Sequence, residues 1–213
     1  MLRTTMLSAC LTLAGYASAA WLTHDFQVWT AEGARRIEVA LKPINLPAIG
    51  TDGPNTARQP LHQLLADGES ITLVDFFYTR CQTVCRALGS SFQQMQAILQ
   101  ATAKKDVPAG QVKLLSISFD GQYDTPEILQ TYATRLNADP RLWRFVRVPD
   151  IKENQDLLNK LQVIVVPDGR GDFEHNAALL IVDRKGRLVR IFDYADQQLA
   201  LDYARDLASR KSP

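Results

Sequence analysis

Blocks of like charge, internal repeats and low-complexity segments are all lacking in this chain, and cysteine is rare. Its 24 basic and 23 acidic residues are spread over 213 positions without a basic stripe or a polybasic patch. This argues against nucleic-acid binding and against a charged membrane-binding surface. The remaining composition, 46% hydrophobic and 22% charged, is ordinary for a globular protein. The length fits one medium-sized domain with a real hydrophobic core.

The first nineteen residues contain no acidic residue and have the pattern of an export leader. Arg3 forms a short positive region, a mostly apolar stretch follows, and the stretch ends in the cleavage signal Ala-Ser-Ala. We therefore predict a signal peptide over residues 1–19 and a periplasmic location. The alternative is an uncleaved N-terminal anchor in the inner membrane, although the apolar run 6–22 is shorter than the roughly 20 residues that a spanning helix needs.

Only three cysteines are present, and the leader contains one of them. Cleavage would remove Cys10, which we interpret as a small apolar residue of the leader, and would leave Cys81 and Cys85. An exported compartment permits a disulfide between them. A bridge across so short a loop constrains the unfolded chain only slightly, so it would contribute little stability. The pair is therefore better explained by its chemistry than by a structural role.

The rest of the chain predicts an N-terminal extension followed by one α/β domain. Residues 20–69 predict two short strands around an Ala-Glu-Gly turn and then a loop rich in Pro, Gly, Asn and Asp. Residues 70–210 alternate between β-rich apolar runs and helical patterns. The predicted strands are 71–79, 112–120, 144–148, 177–183 and 187–194, the predicted helices run from the cysteines to 103 and over 124–137, 151–162 and 196–209, and residues 163–175 are predicted as a loop after a short extended piece.

The order of these elements defines the expected fold. The early β-α-β crossovers favour parallel pairing of their strands. The last two strands, joined by a tight turn at Lys185-Gly186, form a hairpin that adds an antiparallel strand. The expected α/β architecture is a mixed central sheet flanked by helices, which is the layout of a thioredoxin-like fold.

The two remaining cysteines lie where the first buried strand passes into a helix. Residues four apart share one helical face, and this face continues with apolar side chains, so one interpretation is a pair of buried core thiols. The face consists of Cys81, Cys85, Leu88, Phe92, Met95 and Leu99. The other interpretation is a functional pair, because α/β proteins place their sites at the carboxyl edge of the sheet, where this helix begins.

Two chemistries are open to a functional pair. Free helix amides and the neighbouring Arg80 and Arg86 favour thiolate over thiol. Thiolates exchange with disulfides, and they also hold soft metals such as copper or zinc. His175 comes just before a predicted strand, where an ordinary thioredoxin has a proline that faces its redox cysteines. We therefore predict His175 as a third metal ligand, whereas His62, in a short helix or turn, is interpreted as solvated.

In these features the chain resembles the Sco/SenC family of exported copper proteins. The family carries an aromatic-rich strand, a T-x-C-x-x-x-C motif and a distant His before a strand. This chain has VDFFYTRCQTVC, then LLSISFDGQYDTPEILQTYA, then EHNAALLIVDRKGRLV. The resemblance covers about residues 70–195. It implies a thioredoxin-like fold, a periplasmic or inner-membrane location, binding of Cu(I) and Cu(II), and assembly of the binuclear copper centre of cytochrome c oxidase subunit II.

The resemblance also implies roles for single residues. By motif match, Cys81, Cys85 and His175 would be the copper ligands. Asp124 matches an aspartate in the middle segment of the family and either supports the metal site from behind or caps the helix that begins there. Of these two roles, we interpret Asp124 as the helix cap.

Two positions depart from the family pattern. Arg86 follows the second cysteine where the family usually has proline, and Gly121 follows Asp120 where the family has Asp-Pro. These departures leave the implied ligand set intact. They bear instead on the client protein, which would be subunit II or another exported copper or thiol protein.

The expected function is that of a copper metallochaperone rather than an enzyme. The alternative is a thiol–disulfide oxidoreductase in which Cys81 and Cys85 are the redox-active catalytic residues and an exported protein is the client. A peroxidase of the peroxiredoxin type is not favoured, because Thr79 and Arg80 beside the first cysteine do not form its motif.

Overall fold

The structure is a computed structural model, and it describes most of the chain. The described residues are 2–23, 30–81, 84–103, 111–169, 172–176 and 178–210. Within them, the side chains of residues 2–4, 84–88 and 103 lie outside the description. The chain divides into two compact units, Met1–Lys42 and Pro43–Pro213.

The first unit begins with helix α1, Leu2–Leu22. Its segment Thr5–Leu22 is long and apolar enough to cross a membrane, and a signal sequence near the N-terminus has the same properties. Cys10 is exposed on this helix. The apolar helix therefore agrees with either a signal sequence or an anchor.

Helix α2, Ala31–Leu41, lies where the sequence predicted two short strands, and that prediction is wrong for the described residues. Thr30 caps the helix, because its hydroxyl accepts a hydrogen bond from a backbone N–H three residues later at 3.0 Å. Glu32 in the first turn forms an ion pair with Arg35 at 2.9 Å. These local contacts stabilise a helix and not a hairpin. Residues 24–29, which the same prediction covered in part, lie outside the described part.

The second unit contains ten described strands and five described α-helices. The strands are β1 Ile44–Asn45, β2 Gly50–Gly53, β3 Thr56–Pro60, β4 Ile71–Phe77, β5 Val112–Ser118, β6 Trp143–Arg147, β7 Val165–Pro167, β8 Phe173–His175, β9 Ala178–Val182 and β10 Arg187–Asp193. The helices are α3 Leu61–Leu65, α4 Val84–Ala103, α5 Pro126–Arg135, α6 Ile151–Leu161 and α7 Gln197–Ser209.

Eight of these strands form one sheet in the order β1-β10-β9-β4-β5-β6-β2-β3. Strands β4, β5 and β6 are parallel, whereas β9 runs antiparallel to β4, and β10 runs antiparallel to β9. Every residue of β4 and of β9 is buried, as continuous apolar runs predict for central strands. The predicted mixed sheet flanked by helices is therefore confirmed. Strand β1 pairs with β10, and β2 pairs with β6 and β3, so part of the predicted extension belongs to the same sheet. The prediction of a loop there is wrong for the residues of these three strands.

Helices α4 and α5 cover the same face of the sheet, as two successive right-handed crossovers require. The Phe92 ring of α4 lies 5.5 Å from the Trp143 ring of β6. The Tyr132 ring of α5 lies 5.2 Å from the Phe77 ring of β4. These aromatic contacts hold α5 over the carboxyl end of β4 and α4 over the amino end of β6. Helix α7 packs against β4, β9 and β10.

A two-stranded hairpin of β7 and β8 stands where the sequence predicted a loop, and that prediction is wrong for the described residues. Val165 pairs with His175, and Pro167 pairs with Phe173. Gly169, at a φ of +75°, supplies the left-handed residue of the turn. Pro167 thus ends strand β7, Gly169 follows it in the turn, and His175 ends strand β8.

Candidate metal and thiol site

Cys81 lies directly beyond the carboxyl end of the central strand β4. The chain leaves the strand at Phe77 and turns, and the N–H of Cys81 donates to the carbonyl of Tyr78 at 3.4 Å. The cysteine is 7% exposed, so it belongs to the edge of the core rather than to the open surface. This is the edge of the sheet at which the sequence predicted a site.

Cys85 belongs by its backbone to the first turn of helix α4, which begins at Val84. Its side chain lies outside the described part, so the prediction of Cys85 as a ligand or redox cysteine stays a prediction. The same holds for the side chains of Arg86 and Leu88. The position itself is the positive end of a helix of 20 residues, where a thiolate is favoured over a thiol.

His175 reaches this edge from the other side, on strand β8. Its half-buried ring packs edge-on against Phe119, with 5.2 Å between the ring centroids. The Phe119 ring also contacts Tyr78 at 5.1 Å and Phe173 at 5.6 Å. One aromatic cluster therefore joins the turn before Cys81 to the strand that carries the histidine.

Tyr78 ties the two segments together with hydrogen bonds as well. Its hydroxyl donates to the carbonyl of Phe173 at 3.3 Å and accepts from the N–H of Phe173 at 3.1 Å. Tyr78 is three residues before Cys81, and Phe173 is two residues before His175. The tyrosine is fully buried, so this link is shielded from water and fixes β8 against the end of β4.

The surroundings of His175 favour the neutral form of its imidazole. Burial is the main effect and lowers the pKa of the imidazole, while a thiolate at Cys81 and a backbone hydrogen bond at Asn176 act in the opposite direction. A lowered pKa keeps the imidazole neutral near pH 7, the form that binds metals. Within the described residues no group of three metal-binding side chains is complete, and the Cys85 side chain is not among those described.

Asp124 is fully buried behind this turn. Its carboxylate accepts from the N–H of Thr79 at 3.0 Å, from the Thr79 hydroxyl and from the Ser118 hydroxyl. Burial is the main effect and raises its pKa, and the Ser118 and Thr79 hydrogen bonds act against it. The interpretation of Asp124 as a helix cap is wrong, because Thr125 is the N-cap of α5 and accepts from the N–H of Ile128 at 3.5 Å.

Arg80 and the loop that follows β5 form the exposed rim of the site. The sequence did not predict this pairing. The guanidinium pairs with Asp120 at 2.6 Å and lies over the Tyr123 ring at 4.3 Å. The only sequence signal for this rim was the position of Arg80 before the cysteine, and its partner lies 40 residues further along the chain. The rim covers one side of the turn that carries Cys81.

Gly121, which follows Asp120 where the family has proline, has a steric explanation in the same loop. A Cβ at Gly121 would lie 2.2 Å from the carbonyl oxygen of Val148. The Gly121 carbonyl also accepts from the Arg147 guanidinium at 2.8 Å. The backbone thus passes so close to the end of β6 that a side chain, including that of proline, does not fit.

A cavity opens beside Cys81 between helices α4 and α5. Its volume is about 460 Å³. The described residues that line it include Thr79, Cys81, Gln93, Tyr132 and Arg135. The buried cysteine therefore borders a space that is large enough to admit a small molecule or a side chain of a partner.

The fold and the site define a thioredoxin-like domain with a cysteine and a histidine at the carboxyl edge of its sheet. A sequence profile of the SCO1/SenC family matches residues 55–209. The chain therefore belongs to the SCO1/SenC family, as the motifs predicted. It is 24% identical over 160 residues to the SCO1 protein homolog of Bacillus subtilis, and the match covers 74% of this chain and 77% of that one.

Solved structures share the same fold. Copper-bound ScoI of Bradyrhizobium japonicum is 23% identical, with a TM-score of 0.61 over 76% of this chain and 99% of that one. BsSco, described as a member of the Sco family of cytochrome c oxidase assembly proteins with a disulfide switch, is 18% identical, with a TM-score of 0.65 over 80% of this chain and 96% of that one. At these identities the likeness establishes the thioredoxin-like fold.

Proposed function

We propose that this protein carries copper in the periplasm and delivers it to the copper centre of cytochrome c oxidase. In this proposal copper is the cargo, and Cys81, Cys85 and His175 hold it. The observation that carries the proposal is that the turn of Cys81 and the strand of His175, 94 residues apart in sequence, meet at the end of β4 through the aromatic cluster around Phe119. Family membership and the copper-bound relative support it.

The donor atoms suit this cargo. Thiolate sulfur and neutral imidazole nitrogen are ligands that Cu(I) accepts in a three-coordinate site, and the same set suits Cu(II). Burial at this edge favours a neutral imidazole over its charged form and therefore keeps it available as a ligand. Delivery would proceed by ligand exchange, with thiolates of the client displacing the three ligands in turn.

Asp124 has a supporting role in this proposal. It does not contact the metal; it fixes Thr79, two residues before Cys81, through its carboxylate. A ligand that is held from behind by a buried hydrogen-bond network keeps its geometry when the metal leaves. We therefore assign Asp124 as a positioning residue.

An anaerobic titration with Cu(I) against a chromophoric chelator tests the proposal. We expect one Cu(I) per chain for the wild type, no specific binding after replacement of both cysteines by serine, and affinity reduced by about tenfold or more for His175→Ala. His62→Ala is the matched control that removes an imidazole elsewhere. A stoichiometric site that survives the double cysteine replacement would contradict the ligand assignment.

The second candidate function is reduction of a disulfide in an exported client. The cavity beside Cys81 favours it, because a client sulfur needs an approach path to the cysteine pair. His175→Ala would leave this activity largely intact, whereas either cysteine replacement would abolish it. The assay is reduction of a client disulfide with a small dithiol as the source of electrons. Activity that survives His175→Ala and is lost on replacement of either cysteine separates this function from copper transfer.

A further inference from the structure

A second cavity adjoins the one that Cys81 borders, and neither the metal ligands nor the cysteine pair accounts for it. Its volume is about 410 Å³, and it extends to Arg80 and Tyr123 at the exposed rim. The lining residues common to both cavities are Thr79, Tyr132 and Arg135. The two cavities therefore form one continuous depression from Cys81 to the rim, which we call the α5 groove.

One face of helix α5 forms a wall of this groove. The lining side chains of the helix follow helical spacing and are Glu127, Ile128, Thr131, Tyr132 and Arg135. Over this span the helix rises about 12 Å, which corresponds to about four residues of an extended chain. The Gln93 amide of α4 donates to the carbonyl of Leu136 at 2.8 Å and ties the two helices together. The α5 groove thus has fixed walls and the length of a short extended peptide segment.

The charged side chains of the α5 groove are mainly basic. Arg135 is exposed in the last turn of α5 and has no ion-pair or hydrogen-bond partner among the residues that the structure describes. The Arg80 side chain pairs with Asp120 at 2.6 Å and remains 40% exposed, so some of its N–H donors stay accessible. Glu127 is the single acid among the described lining residues. Two accessible guanidinium groups in one groove favour a partner that carries carboxylates.

The rim of the α5 groove has the composition of a protein-binding surface. Tyr123 is 46% exposed, and the Arg80 guanidinium lies over its ring at 4.3 Å. Tyrosine and arginine are enriched among the residues that contribute most to protein–protein binding. The described lining of the groove is mostly polar, whereas pockets for small molecules are mostly apolar. These features favour a polypeptide partner over a small-molecule ligand.

We propose that the α5 groove docks an acidic, extended segment of the client protein beside Cys81. The proposal rests on the proposed function, because a client that receives copper, or whose disulfide is reduced, has to bring its own sulfur atoms to Cys81. It adds the chemistry of the partner to that function. Carboxylates of the client segment pair with Arg135 and with the free donors of Arg80, and Tyr123 packs against the segment at the rim.

The test uses a rhodamine-labelled peptide of alternating glutamate and serine and the reduced, copper-free full-length chain. Binding is measured by fluorescence anisotropy at low ionic strength. We expect saturable binding that weakens as salt is added, because salt screens interactions between exposed charges. The same peptide with glutamine in place of glutamate should bind about tenfold more weakly or less tightly still, because it lacks several ion pairs. Equal binding of the two peptides, tighter binding of a lysine–serine peptide, or binding that salt does not weaken overturns the proposal.

Three variants locate the peptide on the surface. Arg135→Gln should weaken binding of the glutamate peptide by about two- to fivefold, the contribution of one exposed ion pair. Glu127→Gln should tighten it by a similar factor, because it removes a charge that repels the peptide, and a misfolded variant would not bind more tightly. Arg190→Gln, at an exposed arginine of β10 outside the groove, is the matched control and should change nothing. Equal losses in Arg135→Gln and Arg190→Gln, or weaker binding by Glu127→Gln, overturn the proposal.

The Cu(I) titration of the wild type separates this proposal from the proposed function. One Cu(I) per chain without binding of the glutamate peptide overturns the docking proposal and leaves the copper proposal intact. Peptide binding with the expected pattern of variants, but without a specific copper site, supports the docking proposal and overturns the copper proposal.

Discussion

Asp124 accepts hydrogen bonds from both the backbone N–H and the hydroxyl of Thr79, 45 residues earlier in the chain. The carboxylate also accepts from Ser118 at the end of β5. The turn that presents Cys81 is therefore held by a loop after the neighbouring parallel strand. This relationship explains why the fold keeps a buried carboxylate at this point.

The first prediction concerns this network. Asp124→Asn replaces a carboxylate acceptor by an amide, which leaves at least one of the three donors poorly satisfied. We expect a loss of about 1.5–3 kcal/mol in the free energy of unfolding, measured with urea, together with weaker copper binding. Asp120→Asn removes the rim ion pair with partly exposed Arg80 and is the matched control, with an expected loss of about 1 kcal/mol or less. Equal losses in the two variants would contradict the buried role of Asp124.

The second prediction concerns Tyr78. Tyr78→Phe removes a hydroxyl that both donates to and accepts from Phe173, so the backbone of β8 loses two hydrogen bonds near His175. We expect a loss of about 1–3 kcal/mol in stability and a lower copper affinity, because the imidazole is held less firmly. The control is Tyr194→Phe at an exposed tyrosine, which should change neither quantity. Unchanged copper affinity in Tyr78→Phe would show that the hairpin of β7 and β8 does not hold His175 in place for the metal.

The third prediction is a pH dependence of stability due to Asp75, whose pKa is raised by burial in the middle of strand β4. Its pKa is about 7 in the folded protein and 3.8 as an ordinary aspartate, so the folded state binds the extra proton between these values. Stability therefore decreases as the pH rises from 4 to 7 and stays lowered above 7. Asp75→Asn should remove this penalty, worth up to about 4 kcal/mol, at pH 8 and not at pH 4.

Urea unfolding of the wild type and Asp75→Asn at pH 5 and pH 8 measures this effect. The gain of the variant over the wild type should be larger at pH 8. A difference that does not change with pH would mean that the carboxyl has an ordinary pKa in the folded protein.

The fourth prediction concerns the Asp-Gly departure. Gly121→Ala places a Cβ against the Val148 carbonyl, and this backbone, directly after β6, cannot move aside cheaply. We expect a loss of about 1–3 kcal/mol or more in the thermal or urea unfolding free energy. Gly89→Ala in helix α4 is the matched control, because its Cβ would meet flexible Leu136 side-chain atoms at 3.4 Å and the Tyr132 hydroxyl at 3.6 Å, and no backbone atom. That control should be neutral or stabilising, since alanine favours a helix.

Sequence patterns predicted the centre of this fold well, for physical reasons that can be named. The strands β4, β5 and β9 are mostly apolar runs, and α5 has a proline in its first turn, so periodicity and a local start signal identify them. The hairpin of β7 and β8 was predicted as a loop because its Pro and Gly residues are equally typical of loops and of tight turns. Helix α2 was predicted as strands because its pattern of hydrophobic residues is too short to distinguish the helical period from the strand period.

The site was predictable only in part. Cys81 and His175 were identified because the topology brings the ends of their segments to one edge of the sheet. The role of Asp124 as an acceptor for Thr79, and the Arg80–Asp120 rim, depend on contacts between residues 40 or more positions apart, which no local pattern encodes. The buried Asp75, outside the site, was missed for the opposite reason, because a single acid in an apolar strand does not disturb the strand pattern.

X-ray absorption of the copper-loaded protein identifies the atoms that bind the metal and therefore tests the ligand set itself. We expect two sulfur ligands and one imidazole nitrogen per copper in the wild type, with the nitrogen lost in His175→Ala and retained in His62→Ala. A copper environment without sulfur, or one that is identical in the wild type and His175→Ala, would contradict it.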